Sequence, residues 1–232
     1  MAIGIIGAMD KEIEGLKSKM CNIESKTISG ITFYTGSISG SEVIVAASGI
    51  GKVSAAICTQ TMTLVFKPSA IICCGVAGAL SNSLHIGNIA VADKVVQHDL
   101  DTSPVGDPLG YISALDTVEL SCNNSIVIAL QKAAAIIGVT FETGTIASGD
   151  QFICSDLQRS RIKSHFNPIA VEMEGAAIGQ VCSMNGIPFG IVRAISDGAG
   201  DDSHISYDEF AVLAAQHSVE IITQFLLEYK EI

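Results

Sequence analysis

Short apolar runs recur along this chain of 232 residues, and several of them are followed by a turn and then a helical pattern. Three of these runs are Ala2–Ala8, Ala70–Gly75 and Phe189–Ile195. Strands that alternate with helices predict an α/β domain, because the connecting helices must cover the faces of the sheet. We therefore expect a single domain over residues 1–232, built as a three-layer α/β/α sandwich around a central mixed sheet.

The other predicted elements complete this alternation. Further strands are predicted at Ile31–Ser37 and Glu42–Ala47, which form a hairpin, and at Ile89–Val96, Thr143–Ala147 and Ile169–Val171. Helices are predicted to begin at Asp10 and to occupy Val53–Phe66, Ser125–Ile137, Leu157–His165, Glu174–Met184 and Tyr207–Glu228. The segment Asp99–Thr117 is rich in Pro, Gly and Asp, which indicates a long functional loop.

The composition excludes several classes of function. The net charge is −11, from 24 acidic and 13 basic residues, and the Lys and Arg residues are not clustered. Because nucleic-acid binders carry a basic patch, we expect neither nucleic acid nor a membrane surface as a partner. Hydrophobic residues make up 48% of the chain and Trp is absent, so Ile, Val, Leu and Ala must form the core.

The cysteines indicate a reducing compartment. There are seven, an odd number, and no pair has the CxxC spacing of a metal or redox site. The first apolar run has no basic leader and is predicted to be a strand rather than a signal peptide. The protein is therefore expected to be cytoplasmic, and neither a metal nor another cofactor is expected.

Two acidic residues flank a methionine after one predicted strand. In this segment Glu172, Met173 and Glu174 precede a helix of small residues. The simplest explanation of Glu174 is an acid that stabilises the helix dipole. The functional alternative is a carboxylate at a strand end, which would accept hydrogen bonds from both hydroxyls of a ribose diol.

Asp197 ends another predicted strand, in the segment Arg193–Gly198. An Asx-turn residue is the common explanation of such an aspartate. The functional alternative is a general acid that protonates N7 of a purine leaving group. Burial near other carboxylates would raise the pKa of Asp197 and keep this proton available, and Ser196 is a candidate for orienting the carboxyl group.

Glu12 follows the first predicted strand, in the segment Gly7–Glu12. Any acid here is also explained as a helix-start residue. The functional hypothesis makes Glu12 a general base that deprotonates water. Its charge would also stabilise an oxocarbenium-like transition state.

Other segments give weaker signals. Ser48–Lys52 is a glycine turn before a helix, but it lacks the P-loop spacing, so a structural turn with Ile50 lining a pocket is favoured. The segment His98–Asp101 lacks a diagnostic metal-binding spacing, and His204 is expected to be exposed. The sequence contains no GxSxG, HExxH or Ser/His/Asp pattern.

Taken together, these segments resemble a known family in order and spacing over almost the whole chain. The resemblance is to the bacterial methylthioadenosine/adenosylhomocysteine nucleosidases, and it rests on Gly4–Met9, Ser48–Lys52, Ser148–Asp150, Val171–Glu174 and Arg193–Asp197. It implies the nucleoside phosphorylase-like α/β/α fold. It also implies hydrolysis of the N-glycosidic bond of adenine thionucleosides, giving adenine and a 5-substituted ribose.

The resemblance further implies roles for individual residues. Glu12 would activate water, Asp197 would protonate adenine N7, Glu174 would hold the ribose diol and Arg193 would help to order the water site. The implied substrate-binding residues are Met9, Ile50, Val76, Ala77, Gly78, Phe152, Ile153, Glu172, Met173, Ser196 and Tyr207.

Within this set, three contacts are implied in detail. Phe152 would stack on adenine, whose polar edge the backbone of Ile153 would contact, and Met173 would pack on the sugar. Met9, Ile50 and Tyr207 would line the 5′-alkylthio pocket. Val76 is a departure, because relatives often carry Ser in this segment and its hydroxyl would lie near the ribose or the water.

The resemblance also implies a homodimer, in which the loop of residues 99–117 reaches the neighbouring site. Four apolar residues of this loop, Val105, Leu109, Tyr111 and Ile112, are expected to be exposed unless a partner covers them. Relatives often carry an aromatic residue near Val105. This departure affects the contact across the dimer and the preference for the 5′ tail.

Two alternatives remain open at this point. A phosphorolytic enzyme of the same fold would need cationic side chains that converge on phosphate, for which the sequence offers Lys11, Lys52, Lys94 and Arg193. A non-catalytic nucleoside-binding protein would not need all three acids. The sequence does not rank methylthioadenosine, adenosylhomocysteine, 5′-deoxyadenosine and futalosine-type substrates.

Overall fold

The structure, a computed structural model, describes residues 2–197 and 203–229, with side chains of the last helix described from Gln216 onward. The strands are β1 Ile3–Gly7, β2 Cys21–Ile28, β3 Ile31–Ile38, β4 Ser41–Ala47, β5 Ala70–Ala79, β6 Ile89–Gln97, β7 Glu119–Ser121, β8 Phe141–Ser148, β9 Ala170–Glu172 and β10 Phe189–Asp197. The helices are α1 Asp10–Lys19, α2 Lys52–Phe66, α3 Asn124–Ile136, α4 Asp156–Phe166, α5 Gly175–Asn185 and α6 Ser203–Glu228. The predictions for the side chains of Tyr207 and His204 lie outside the described residues.

All the described strands belong to one sheet, which partly closes on itself. Its order is β10-β6-β8-β9-β5-β1-β4-β3-β2, with β7 beside β6 and a second pairing between β10 and β5. Strands β5, β9, β8, β6 and β10 therefore form a closed ring, which β1, β4, β3 and β2 extend on one side. Parallel and antiparallel pairs both occur, so the predicted mixed sheet is confirmed.

Helices cover this sheet in two groups. α1 and α3 pack against α6, and α2 packs against α5. Strands β5 and β10 are buried along almost their whole length, as expected for strands covered on both faces. The core consists mainly of Ile, Val, Leu, Ala and Cys side chains. Within the described ranges, the structure has no helix of the length and apolarity that a bilayer requires.

The sequence pattern did not predict β2 and β7. Strand β2 lies at the end of the sheet order, pairs with β3 and exposes nearly all its side chains. An exposed edge strand has no apolar period, which is the signal that sequence patterns provide. Strand β7 has three residues and pairs with β6. Most other predicted bounds lie within a few residues of the observed ones.

The segment 99–117 is irregular, as predicted, but its apolar residues are not all exposed. It contains one turn of 3-10 helix at Ser103–Val105 and a bridge between Ile112 and Thr117. Val105 is 81% exposed, whereas Ile112 is 2% exposed and packs in the main core. The prediction was therefore wrong for Ile112, because the bridge holds this residue against the protein's own core.

Closure of the ring brings several strand ends to one place. Asp197 of β10 lies opposite Gly78 of β5, and Gly78 in turn lies opposite Val171 of β9. Strand β1, which leads into α1, also pairs with β5. The segments that carry Glu12, Glu174 and Asp197 therefore converge at the same edge of the sheet.

Candidate active site

A cavity opens where these strand ends meet, and acidic and apolar side chains line it together, as in sites that bind small organic ligands. Every predicted site residue whose side chain the structure describes lines it: Met9, Glu12, Ile50, Val76, Ala77, Gly78, Phe152, Ile153, Glu172, Met173, Glu174, Arg193, Ser196 and Asp197. The side chain of Tyr207 is outside the described residues. Three further lining residues were not predicted, namely Ala8, Gln151 and Val171.

Glu12 lies in the first turn of α1, and backbone N–H groups from outside this helix bind its carboxylate. Its Oε2 accepts hydrogen bonds from the N–H groups of Ala8 at 2.7 Å and Met9 at 2.9 Å. Its Oε1 accepts a hydrogen bond from the N–H of Val76 at 3.1 Å. The residue is 1% exposed, so these donors replace water around the carboxylate. This arrangement fixes the orientation of Glu12 in the cavity wall.

Gly75 permits the close approach of Glu12 and Arg193. It lies opposite Arg193 in the pairing of β5 with β10, and its φ of 149° is one that glycine favours. A Cβ at this position would lie 2.6 Å from Oε1 of Glu12 and would collide with the Arg193 guanidinium. Any side chain here would therefore displace both charged groups.

Arg193 is buried at the centre of the site. It is 1% exposed, and its Nη2 donates to Oε2 of Glu172, to Oε2 of Glu174 at 3.2 Å and to Sγ of Cys73 at 3.1 Å. A buried guanidinium requires such acceptors, since desolvation of an unpaired charge is very costly. Arg193 therefore links β10 to the two glutamates that precede α5.

Glu172 has its oxygens occupied by the protein itself. It accepts hydrogen bonds from the Ser148 hydroxyl, from Arg193 and from the N–H groups of Glu174 and Gly175. These last two donors belong to the start of α5, where a carboxylate is also favoured by the helix dipole. Although Glu172 lines the cavity as predicted, this geometry favours a structural role over a contact with substrate.

Glu174 faces the cavity and has weaker support. Its Oε1 accepts a hydrogen bond from the N–H of Gly51 at 2.9 Å, and its Oε2 accepts the one from Arg193. Burial raises the pKa of Glu174 to about 7, although Arg193 and the Gly51 N–H favour the charged form. Two polarised oxygens with remaining lone pairs suit the predicted binding of a diol.

Asp197 occupies a different environment from the glutamates. It is 3% exposed at the end of β10, and the Ser196 hydroxyl donates a hydrogen bond to it at 3.0 Å, as predicted. Nη2 of Arg159, on α4, lies 3.7 Å from Oδ2 of Asp197. Burial raises the pKa of Asp197, while Ser196 and Arg159 act in the opposite direction. Arg159 was not predicted, because nothing in the local pattern of α4 distinguishes it from an exposed helical arginine.

The remaining walls of the cavity are apolar. Met9, Met173 and Ile153 line it beside the acids, and Ile153 is 5% exposed. Ile50 and Phe152 lie at the mouth and are 57% and 48% exposed. Large apolar side chains that are exposed at a cavity mouth are typical of sites that a ligand or a partner covers.

Comparisons with known proteins agree with this geometry. The family model of the phosphorylase superfamily matches residues 2–227. A curated relative from Halalkalibacterium halodurans, named 5′-methylthioadenosine/S-adenosylhomocysteine nucleosidase, is 42% identical over 221 residues, which are 95% of each chain. The resemblance that the sequence motifs indicated is therefore confirmed.

Solved structures share the fold over nearly the whole chain. One is an Asp-to-Asn mutant of the Helicobacter pylori nucleosidase with 5′-methylthioadenosine in its active site; its TM-score is 0.93 at 35% identity, over 98% of this chain and 99% of that chain. Another is the native futalosine hydrolase of Helicobacter pylori, with a TM-score of 0.94 at 35% identity, over 99% of this chain and 98% of that chain. The predicted nucleoside phosphorylase-like fold is thus confirmed.

Because Arg193 is paired with buried glutamates, we expect its replacement to lower the unfolding free energy by an amount that depends on pH. In Arg193→Met, two buried glutamates lose their counterion, which costs about 3–5 kcal/mol of unfolding free energy. The raised pKa of Glu174 means that the folded state binds this proton more tightly than the unfolded state, so stability falls as pH rises from the unfolded pKa through about 7. Loss of Arg193 raises this pKa further. Urea denaturation should therefore show a larger loss at about pH 8 than at about pH 6.

The control for this experiment is Arg161→Met, which removes an exposed arginine of α4. This variant should unfold like the wild type at both pH values. An equal loss for Arg193→Met at the two pH values would contradict the electrostatic explanation.

Proposed function

The chain belongs to the phosphorylase superfamily, and we propose that within it the protein is a nucleosidase, which uses water to cleave the N-glycosidic bond of 5′-substituted adenine nucleosides. Methylthioadenosine and adenosylhomocysteine are the proposed substrates, with 5′-deoxyadenosine as a further one. The observation that carries the proposal is the convergence of Glu12, Glu174 and Asp197 on one cavity.

Asp197 is the general acid of the proposed reaction. Its burial favours the protonated carboxyl group, and in the same cavity an adenine N7 would accept the proton. Protonation of the base as the C1′–N9 bond breaks lets adenine leave as a neutral molecule. The Ser196 hydroxyl, 3.0 Å away, then stabilises the carboxylate that remains.

Glu12 is the general base. A water between this carboxylate and C1′ transfers a proton to Glu12 while its oxygen forms the new bond to C1′. The negative charge of Glu12 also stabilises the positive charge that develops on the ribosyl ring. Arg193 and Glu12 both lie within contact distance of the position that a Cβ on Gly75 would occupy, which supports the proposed part of Arg193 in ordering this water.

Glu174 and the apolar walls position the substrate. The Glu174 carboxylate accepts hydrogen bonds from the ribose diol, and Met173 packs on the sugar. Phe152 and Ile153 hold the adenine, while Met9, Ile50 and Tyr207 surround the 5′ tail. Val76 lines the cavity, and its N–H donates a hydrogen bond to Oε1 of Glu12. Relatives often carry Ser in this segment, so we propose that the water near Glu12 lacks a hydroxyl partner at this position.

The charges of the cavity argue against phosphate as the nucleophile. Of the lining residues in the described ranges, Arg193 is the one cation, and its guanidinium is already bound by two glutamates. Two other candidates are engaged elsewhere, since Lys52 binds Asp99 and Lys94 binds Glu119. A phosphate dianion beside the carboxylates would be strongly repelled in a site of low dielectric constant. Water needs no cationic cradle.

A second copy of the chain is the proposed partner. Val53, Ile57 and Leu64 are 69%, 44% and 64% exposed, and their spacing places them on one face of α2. Ile50, which lies two residues before α2, is also exposed and lines the cavity. The exposed Val105 in the segment 99–117 is an apolar tip that would reach the neighbouring mouth in such a dimer. We also propose a cytoplasmic location, because all seven cysteines are free thiols.

The variant Asp197→Asn tests the general acid. Asparagine keeps the shape of the side chain but has no proton to give, so kcat should fall roughly 10²–10⁴-fold while substrate affinity stays within a few-fold. Steady-state kinetics on methylthioadenosine and a binding titration measure the two effects. Asp156→Asn, which alters an exposed residue of α4, is the matched control and should have wild-type kinetics. A kcat of Asp197→Asn close to that of the wild type would remove Asp197 from the mechanism.

Turnover in the absence of phosphate tests the reaction type. Phosphate-depleted protein should cleave methylthioadenosine at full rate, and nuclear magnetic resonance should identify a 5-methylthioribose with a free anomeric hydroxyl. If activity requires added phosphate and the product is a ribose 1-phosphate, the protein is a phosphorylase. If neither condition supports turnover although the nucleoside binds, it is a binding protein.

Sedimentation tests the proposed dimer. The wild type should sediment as a dimer at micromolar concentration, and Ile57→Glu should shift it to a monomer because a charge cannot be buried unpaired in the interface. Ile136→Glu is the control, since Ile136 is 56% exposed on α3, which belongs to the other helix group. A wild-type monomer, or dissociation by both variants alike, would overturn this proposal.

A further inference from the structure

We infer that a closed ring of hydrogen bonds among Lys52, Asp99 and Asp150 positions Glu174 through the backbone of Gly51, and thereby sets the preference for a ribose diol. The inference rests on the proposed role of Glu174 in binding this diol. The three ring residues act through Glu174 and are not themselves placed against the substrate, since none of them lines the cavity.

The ring joins three loops through three short hydrogen bonds. The N–H of Lys52 donates to Oδ1 of Asp150 at 2.7 Å, and the N–H of Asp150 donates to Oδ2 of Asp99 at 2.7 Å. Nζ of Lys52 closes the ring by donating to Oδ1 of Asp99 at 2.6 Å. Each residue thus contacts both of the others, and the position of each loop depends on the other two.

The loops joined in this way follow strands that are distant from one another in the sheet. Lys52 follows β4, whereas Asp99 and Asp150 follow β6 and β8. Strands β9, β5 and β1 lie between β8 and β4 in the sheet order. Backbone pairing therefore does not fix the distance between the two sides, and the side chains of the ring span the gap.

Gly51 connects the ring to Glu174. Its N–H donates to Oε1 of Glu174 at 2.9 Å, while the next N–H, that of Lys52, donates to Asp150. Gly51 has a φ of 93°, and a Cβ there would lie 2.9 Å from Oδ1 of Asp150. Two consecutive N–H groups are thus divided between two carboxylates. If Asp150 moves, the peptide group between Gly51 and Lys52 turns. The adjacent N–H of Gly51, which donates to Glu174, is then displaced as well.

A branch of the ring reaches the helix that follows Glu174. Nζ of Lys52 also donates to Oε1 of Gln97 at 3.0 Å, and Nε2 of Gln97 donates to Oε1 of Gln180 at 2.6 Å. Gln180 belongs to α5, and Glu174 is the N-cap residue of that helix. The ring is therefore held to the same helix whose N-cap residue it helps to position, so it is connected to Glu174 both through Gly51 and through α5.

Substitution of Asp99 is the most direct test of the ring. Its two oxygens are divided between Lys52 and Asp150, and its side chain is 17% exposed. Lys52 and the Asp150 N–H lower the pKa of Asp99 against the opposing effect of burial, so it is a carboxylate at neutral pH. Asparagine offers one oxygen and one NH₂ group. In Asp99→Asn, either Nζ of Lys52 or the N–H of Asp150 must therefore face the NH₂ group of the asparagine, which is itself a donor.

The test compares a riboside with its 2′-deoxyriboside, using methylthioadenosine and its 2′-deoxy analogue. In Asp99→Asn, kcat/KM for the riboside should fall roughly tenfold, mainly through KM, while that for the 2′-deoxyriboside should change little. Lys52→Met, which keeps the aliphatic stem, should behave in the same way and serves if Asp99→Asn folds poorly. Lys94→Met breaks the surface ion pair with Glu119 and should leave both substrates unaffected.

A double-mutant cycle separates this inference from the proposed function. In a Glu174→Gln background, Asp99→Asn should have almost no further effect on the riboside, because the ring acts through Glu174. If Glu174→Gln itself harms both substrates equally, the proposed role of Glu174 fails. If Glu174→Gln is selective but Asp99→Asn harms both substrates alike, adds its full effect in the double variant, or changes neither substrate, the ring does not position Glu174 and the inference is overturned.

Discussion

The pairing of the Arg193 guanidinium with two glutamates is the interaction on which the site depends. Arg193 is among the largest fully buried side chains, and it is a charged one. A buried charge is tolerated only with compensating partners, so Glu172 and Glu174 must occupy nearly fixed positions. Glu172 in turn binds the first N–H groups of α5. One ion cluster thereby fixes β10, the end of β9 and the start of α5 relative to one another.

The carboxyl groups of the cavity have different surroundings. This difference can make one of them a general acid and another a general base. Glu12 receives hydrogen bonds from three backbone N–H groups, which hold both of its carboxylate oxygens in place. Asp197 receives one hydroxyl and a guanidinium 3.7 Å away, while burial raises its pKa. A carboxylate held by donors suits proton abstraction from water, and a desolvated carboxyl suits proton donation. Two carboxyl groups in one cavity can therefore perform opposite roles.

Much of this arrangement could be predicted from the sequence, for a physical reason. Glu12, Glu174 and Asp197 each follow a short apolar run, and polar residues at strand ends meet at one edge of an α/β sheet. Strand β2 was missed because an exposed edge has no apolar period. Ile112 was wrongly expected on the surface because one bridge, formed with Thr117, turns it into the core.

The site contacts that were missed are side-chain contacts between distant segments. Arg159 reaches Asp197 from another element, and Asp150 reaches Lys52 across a gap of about a hundred positions in the chain. Neither pairing alters the local periodicity from which elements are predicted. Such contacts can be predicted only when it is known which strand ends are neighbours. Here the pairing of β10 with β5, which closes the strand ring, determines which ends meet.

Closure of the strand ring explains why so many polar groups can be buried together. In an open sheet, β5 would have two neighbours, and the ends of β9 and β10 would lie on separate edges or far apart. Here β5 pairs with β1 and with β10 along its length, and with β9 through Gly78 and Ala79. Its end therefore lies between those of β9 and β10, and Gly75 and Gly78 leave room there for Glu12, Arg193 and Asp197. The strand must lack a side chain at these two positions, because charged groups of neighbouring elements occupy the space that a Cβ would need.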